Sequence, residues 1–129
     1  AFLIGLLLQT VFFGHGGITT LGINVFNFGV AAMLFHTLFS GAIRRSRKPN
    51  VVFWLGFIAG AGALLTAAGF IVVELLITGE EFEYLAGAFF LAHLPVALIE
   101  GAVTGAAVAF IHRTKPELLA APVFDGDNK

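Results

Sequence analysis

"VVFWLGFIAGAGALLTAAGFIVV" occupies residues 51–73 and carries no charged side chain. Wound as a helix at about 1.5 Å per residue, it is roughly 35 Å long. A bilayer's hydrocarbon core is about 30 Å thick, so this stretch reads as a membrane span. Residues 18–43 form a second run that is uncharged apart from His36. A transmembrane barrel needs segments of alternating polarity, each roughly 10 residues long, and the chain has none.

Composition agrees. Of 129 residues, 58% are hydrophobic and only 12% charged, with a mean hydropathy of +0.95. That leaves too few polar side chains to cover a soluble domain. The reading is an all-α, polytopic helical membrane bundle embedded in the lipid bilayer. The net charge of −1 offers no field for nucleic acid. The absence of cysteine removes disulfides, thiolate metal sites and cysteine nucleophiles together.

Four spans are expected: one ending near Phe13, then about 20–43, 51–78 and 84–112. Residues 1–115 make a transmembrane domain, and 116–129 a solvated tail. Residues 1–13 are apolar from the outset with no cap or charged flank, so the chain is expected to begin inside a helix, with further helices upstream. Gly14-His15-Gly16 is not a small-residue cleavage site, and no basic segment precedes the apolar run, so a signal peptide is not indicated. Arg44, Arg45, Arg47 and Lys48 lie between the second and third spans, and Arg113 and Lys115 follow the fourth. Glu80, Glu81 and Glu83 occupy the opposite loop. Basic loops stay in the cytoplasm, so loop 44–50 and the tail are expected inside, and 14–19 and 79–83 outside. Gly56 with Gly60, and Gly101 with Gly105 followed by Ala109, are small residues four apart, a spacing that lets helix backbones approach.

Polar residues interrupt this apolar background unevenly. "FFGHGGITTLGINVFNFG", residues 12–29, gathers His15, Thr19, Asn24 and Asn27 between apolar flanks. Gln9, Glu74 and His93 fall in the same outer half. His93 is expected roughly 14 Å deep, near the midplane. Asn24 and Asn27, three apart, share a helix face. Glu100 lies deeper, in the inner half, on the same stripe as His93, with Pro95 between them expected to kink the helix. Such groups are costly in lipid and face a bundle interior or a wet cavity. Each has a plainer reading. The amides serve as interhelical glue, Glu74 sits at the solvated interface, and His93 with Glu100 forms a structural ion pair. His36 is read as packed or snorkelling, and His112 as interfacial.

Imidazole, amide and carboxylate donors suit nickel or cobalt. There is no HExxH, no Gly-x-Ser-x-Gly and no Walker A motif, so the usual intramembrane metalloprotease, serine hydrolase and ATPase signatures are missing. From the residues alone the reading ends at a helical membrane bundle with a polar pocket opening outward.

"LLLQTVFFGHGGITTLGINVFNFG" (residues 6–29) resembles the signature of the CbiM/NikM family, the substrate-capture membrane subunits of energy-coupling-factor (ECF) transporters for cobalt and nickel. The likeness continues through Val73-Glu74-Leu75, His93-Leu94-Pro95, Glu100-Gly101 and Arg113-Thr114-Lys115-Pro116-Glu117-Leu118-Leu119. It implies a substrate-specific component of an ABC importer that is not itself an enzyme. Such a component takes Co2+ or Ni2+ as transported substrate, with no organic cofactor, in a prokaryotic inner membrane. The implied partners are a membrane coupling (T) subunit, cytoplasmic ATPase subunits and a small accessory membrane subunit. Cobalt taken up this way feeds cobalamin biosynthesis. In the family the principal metal ligands come from the extreme N-terminus, including a histidine directly after the first methionine, and from a glycine-rich loop ahead of the region that matches residues 6–29. Neither is present, so the resemblance assigns no direct ligand to this chain. It leaves His15, Asn24, Asn27, Gln9 and Thr19 as residues walling the pocket and orienting ligands, and His93, Glu100 and Glu74 as an ion-pathway or structural polar group. Two rival readings remain at this level: an assembly subunit without its own substrate, and a membrane enzyme whose catalytic groups lie upstream.

Overall fold

The computed structural model describes residues 21–119. Three long helices fill them: α1 Leu21–Arg45, α2 Pro49–Thr78 and α3 Glu83–Thr114, with short 3-10 turns at Glu80–Phe82 and Pro116–Leu118. No strand occurs among the described residues. Each helix is long and apolar enough to cross a membrane. The all-α membrane bundle therefore stands, with three spans rather than four among the described residues. The expected first span, ending near Phe13, lies outside them, as do residues 120–129 of the expected tail.

The helices run a little past the expected limits, and the terminal residues explain why. Arg44 and Arg45 occupy the last turn of α1, where cations meet the negative end of the helix dipole. Pro49 opens α2 at its first position, and Lys48 before it is extended (φ −98°, ψ 115°). A residue preceding proline is pushed into that region, while proline itself suits the first helical turn. At the far end of α2, the Thr78 hydroxyl donates to the Glu74 carbonyl at 2.7 Å. Glu83 lies in the first turn of α3, directly after the turn that carries Glu80 and Glu81, so carboxylates meet the positive dipole end. α3 runs as one helix through Pro95.

Connections this short make neighbouring helices antiparallel, so the bundle has an acidic end (residues 79–83) and a basic end (residues 44–48 and 113–115). α2 is central: it packs against both α1 and α3, most extensively against α3. The buried positions along the α2–α3 contact are mostly small. Gly56, Ala67 and Ala68 of α2 and Ala86, Ala97, Gly101, Gly105 and Ala109 of α3 are buried. Large apolar side chains point outward instead: Leu91 is 65% exposed, Ile99 64% and Trp54 59%. A soluble bundle buries its large residues. Lipid is as apolar as leucine, so here burial of leucine gains nothing and close backbone approach decides the contact.

The expected glycine pairs make that contact. A Cβ on Gly105 would lie 2.6 Å from the Phe53 carbonyl oxygen, and one on Gly101 would lie 2.8 Å from that of Phe57. From the other side, a Cβ on Gly56 would sit 3.0 Å from the Gly105 Cα. Gly60 receives the Thr104 side chain. α1 is held differently, with the Phe35 ring lying over Gly62 and the rings of Phe26 and Phe70 6.5 Å apart.

Gly105→Ala should separate α2 from α3 at a cost of about 1–3 kcal/mol, the range for overpacking a tight interface. Gly69→Ala, whose added methyl meets nothing within 4 Å, should leave stability unchanged or slightly raised. Unfolding in a denaturing detergent titration, followed by the single tryptophan, Trp54, separates the two.

Candidate functional site

Among the described residues, one polar side chain is fully buried: Asn27, at 0% exposure. It lies in the second turn of α1, where Ala31, one turn on, continues the buried stripe. Across from it, Glu74 sits one turn before the end of α2. The Asn27 Nδ2 donates to Glu74 Oε1 at 2.9 Å. An ionised carboxylate only accepts, so this contact fixes the amide with its nitrogen toward Glu74 and its oxygen turned elsewhere. That oxygen, Oδ1, is enclosed and has no hydrogen-bond partner among the described residues. A buried carbonyl left in that state costs roughly 1–3 kcal/mol. The site thus holds a carboxylate steadied by an amide, and an acceptor suited to an N–H or O–H donor.

The other expected residues fall in three places. Gln9, His15 and Thr19 lie outside the described residues. Asn24 is half-buried one turn before Asn27, toward the acidic end, as the spacing predicts. His93 is half-buried on α3, four residues before the buried Ala97 and so on the face turned to α2. Its Nδ1 lies 2.7 Å from the Phe89 carbonyl, and its ring is tilted 34° to that of Phe89 with the centroids 4.0 Å apart. Because a carbonyl only accepts, Nδ1 is the donor in this contact.

Glu100 departs from the expected pairing with His93. It is exposed, and its Oε1 accepts from the Thr104 hydroxyl at 3.3 Å. The carboxylate joined to another helix's polar group is Glu74, and its partner is Asn27. His36 is exposed among the described residues, which fits the snorkelling reading. His112 has a specific role: its Nε2 donates to the Ser46 carbonyl at 2.9 Å and ties the end of α3 to the basic loop.

The Asn27–Glu74 bond joins two residues that the sequence alone assigns to separate groups. A signal is present nonetheless. Asn27 is six residues into one helix and Glu74 four from the end of its antiparallel neighbour, so both lie within about 10 Å of the acidic end. Among the described residues, no group of three or more histidine, aspartate or glutamate side chains is placed to hold a metal ion. The described residues supply a buried amide–carboxylate pair at this end and not a set of metal ligands.

The model of the family described as "CbiM: Cobalt uptake substrate-specific transmembrane region" matches residues 1–118. Similar curated proteins include the "Cobalt transport protein CbiM" of Sorangium cellulosum, 33% identical over 90% of this chain and 54% of its own length. The protein of the same name in Geobacter sulfurreducens is 33% identical over 91% of this chain and 35% of its own. The "Fused nickel transport protein NikMN" of Rhodobacter capsulatus is 36% identical over 91% of this chain and 39% of its own. The chain spans about half, or less, of the length of these relatives. No solved structure matches it.

Replacing Asn27 with alanine strands the Glu74 carboxylate beside apolar neighbours, whereas Glu74→Gln keeps an acceptor in place. A double-mutant cycle of Asn27→Ala and Glu74→Ala should give a coupling of about 1–2 kcal/mol, above the ~0.6 typical of polar pairs in membranes because Asn27 is fully buried. The cycle is read from unfolding titrations. A coupling near zero would mean that the two side chains do not support each other.

Proposed function

The chain belongs to the CbiM family, and on that premise we propose that it is the substrate-specific component of an ECF-type ABC importer, capturing Co2+ or Ni2+ from the extracytoplasmic side for ATP-driven uptake. The observation that carries the reading beyond family membership is the buried Asn27–Glu74 pair with an acceptor to spare, at the end of the bundle opposite the basic residues. Histidines that bind metals donate their second ring N–H to a carbonyl or carboxylate, which fixes the tautomer and raises the ligand's basicity. Asn27 Oδ1 is an acceptor of that kind, and Glu74 adds negative potential near an incoming cation. In this reading the direct ligands are supplied by residues ahead of position 21 or by another chain. Asn24 lies one turn nearer the acidic end, and Gln9, His15 and Thr19, outside the described residues, are assigned to the same pocket by the resemblance alone. His93 and Glu100, further toward the basic end on α3, are proposed as an ion-pathway or structural polar group.

The family resemblance implies the division of labour: ATP hydrolysis is assigned to separate cytoplasmic subunits, reached through a membrane coupling subunit and a small accessory membrane subunit. The proposed location is a prokaryotic plasma membrane, with loop 44–50 and the tail inside by the positive-inside rule. The choice between the two metals rests on coordination geometry, since imidazole nitrogen serves both. A subunit that only holds partners is the second reading. It is favoured by one fact, the lack of a three-ligand cluster among the described residues.

Isothermal titration of the purified protein with NiCl2 and CoCl2 decides between them. Metal transport predicts saturable binding, weakened about 10–100-fold in Asn27→Leu, the range for loss of a group orienting a metal ligand. His36→Ala, on an exposed face, should bind as the parent does. No binding by the parent protein favours the partner-holding reading. Orientation is tested separately: the chain has no cysteine, so Ser46→Cys and Glu81→Cys report without background. A membrane-impermeant maleimide added to intact cells should label the second and spare the first.

A further inference from the structure

At the basic end, opposite the Asn27–Glu74 site, α2 and α3 enclose a cleft of about 280 Å³ lined by Pro49, Asn50, Phe53, Ala106, Phe110 and Arg113. It exists because the helices are in backbone contact at Phe53 and Gly105, while the next positions on α3 that face it, Ala106 and the buried Ala109, are too small to fill the space beside Phe53 and Phe110. The floor is therefore apolar. Polar groups occupy only the rim, with Asn50 on the first turn of α2 and Arg113 on the last turn of α3. Pro49 contributes no N–H, and the N–H groups of Val51 and Val52 are directed to the Lys48 carbonyl. The Asn50 amides are thus the donors that this turn offers the cleft.

Charge surrounds the rim. Arg44, Arg45, Arg47, Lys48, Arg113 and Lys115 cluster at this end against a single described carboxylate, Glu117. The His112–Ser46 hydrogen bond draws the loop that carries Arg47 and Lys48 against the end of α3. An apolar slot at the end of two helices long enough to cross a membrane, with a guanidinium and an amide on its rim, matches one kind of molecule. The geometry points to a binding site for a single anionic phospholipid: its phosphate is held between Arg113 and Asn50, and the first methylenes of one acyl chain lie along Phe53, Ala106 and Phe110. Guanidinium is suited to phosphate oxygens, and basic pockets between spanning helices take anionic headgroups. A soluble anion would have no use for the apolar floor. This site rests on none of the metal-transport reading.

The test is native mass spectrometry of the purified protein in mixed micelles containing either phosphatidylglycerol or phosphatidylcholine. The parent protein should retain one phosphatidylglycerol in preference to phosphatidylcholine. Arg113→Gln should cut that retention about fivefold, the factor that one basic residue beside an anionic surface is worth. Arg44→Gln, a cation outside the cleft, should reduce it far less. Ala106→Leu fills the slot without touching a charge and should also displace the lipid, with tryptophan fluorescence reporting that the fold is intact. Equal retention of the two lipids, or equal loss in Arg113→Gln and Arg44→Gln, overturns the site in favour of diffuse charge. Displacement by inorganic phosphate at matched concentration would make it a free-anion site. Unchanged phosphatidylglycerol retention in Arg113→Gln and Ala106→Leu, with loss of a co-purifying membrane subunit, would make it a protein interface.

Discussion

Close approach of α2 and α3 governs the rest of the structure. In lipid, two apolar helices gain little by burying leucine against leucine, and association falls to packing and to weak polar contacts between backbones. The glycines at 56, 101 and 105 allow this by leaving out the Cβ atoms that would strike the facing backbone. Carbonyl oxygens then reach the opposing helix surface, where Cα–H contacts contribute about 0.5–1 kcal/mol each. α1 is the weaker partner, joined to α2 by an aromatic ring over Gly62 and by the Asn27–Glu74 hydrogen bond. Since α1 and α3 have little direct contact, α2 fixes the position of both. Any site built from α1 and α3 together is aligned through it.

The Asn27–Glu74 contact supports the fold and the proposed site at once. A carboxylate near the end of a span is tolerable only with a hydrogen-bond donor or water beside it, and Asn27 is that donor. The same bond orients the amide so that its oxygen is enclosed without a partner among the described residues. Structural glue alone would have been better served by a group that left nothing over, since the leftover acceptor works against stability. An acceptor left without a partner among the described residues is intelligible if its donor comes from residues outside them or, on the proposed function, arrives with the metal's ligands. The polar cluster and the tight glycine seam thus divide two tasks between adjacent segments of one helix.

Much of this layout is legible in the sequence. Uncharged runs locate the spans within a few residues, the loops separate an acidic end from a basic one, and the glycine spacing names the α2–α3 seam. Depth can also be read, because helix rise is fixed. Azimuth cannot. His93 and Glu100 share a stripe by counting, yet His93 is half-buried and bonded to Phe89, while Glu100 is exposed and bonded to Thr104. Which side of α3 meets α2 depends on where the glycines bring the backbones together, and that is a property of two helices jointly. The Asn27–Glu74 bond escapes a reading of the sequence for the same reason: its partners are 47 residues apart, and only the antiparallel crossing of α1 and α2 brings them level.

Glu100 carries the consequence furthest. It lies well inside a 32-residue helix, and the hydrogen bond it receives, 3.3 Å from Thr104 of its own helix, is long. A carboxylate so placed and turned to hydrocarbon costs several kcal/mol, whereas one turned to protein or to a wet path does not. Thr104 in turn seats in the notch at Gly60, so the Glu100 side of α3 borders the same seam that fixes α2. Val96 and Val103, 47% and 59% exposed, flank Glu100 on the same side of α3, so it is a lone carboxylate on an apolar surface, and that point is where further protein or water belongs. Exposed leucine and isoleucine such as Leu91 and Ile99 mark the surface fit for lipid. Glu100 thus marks a point on the exposed side of α3 where hydrocarbon is a poor neighbour, set among side chains for which it is a good one.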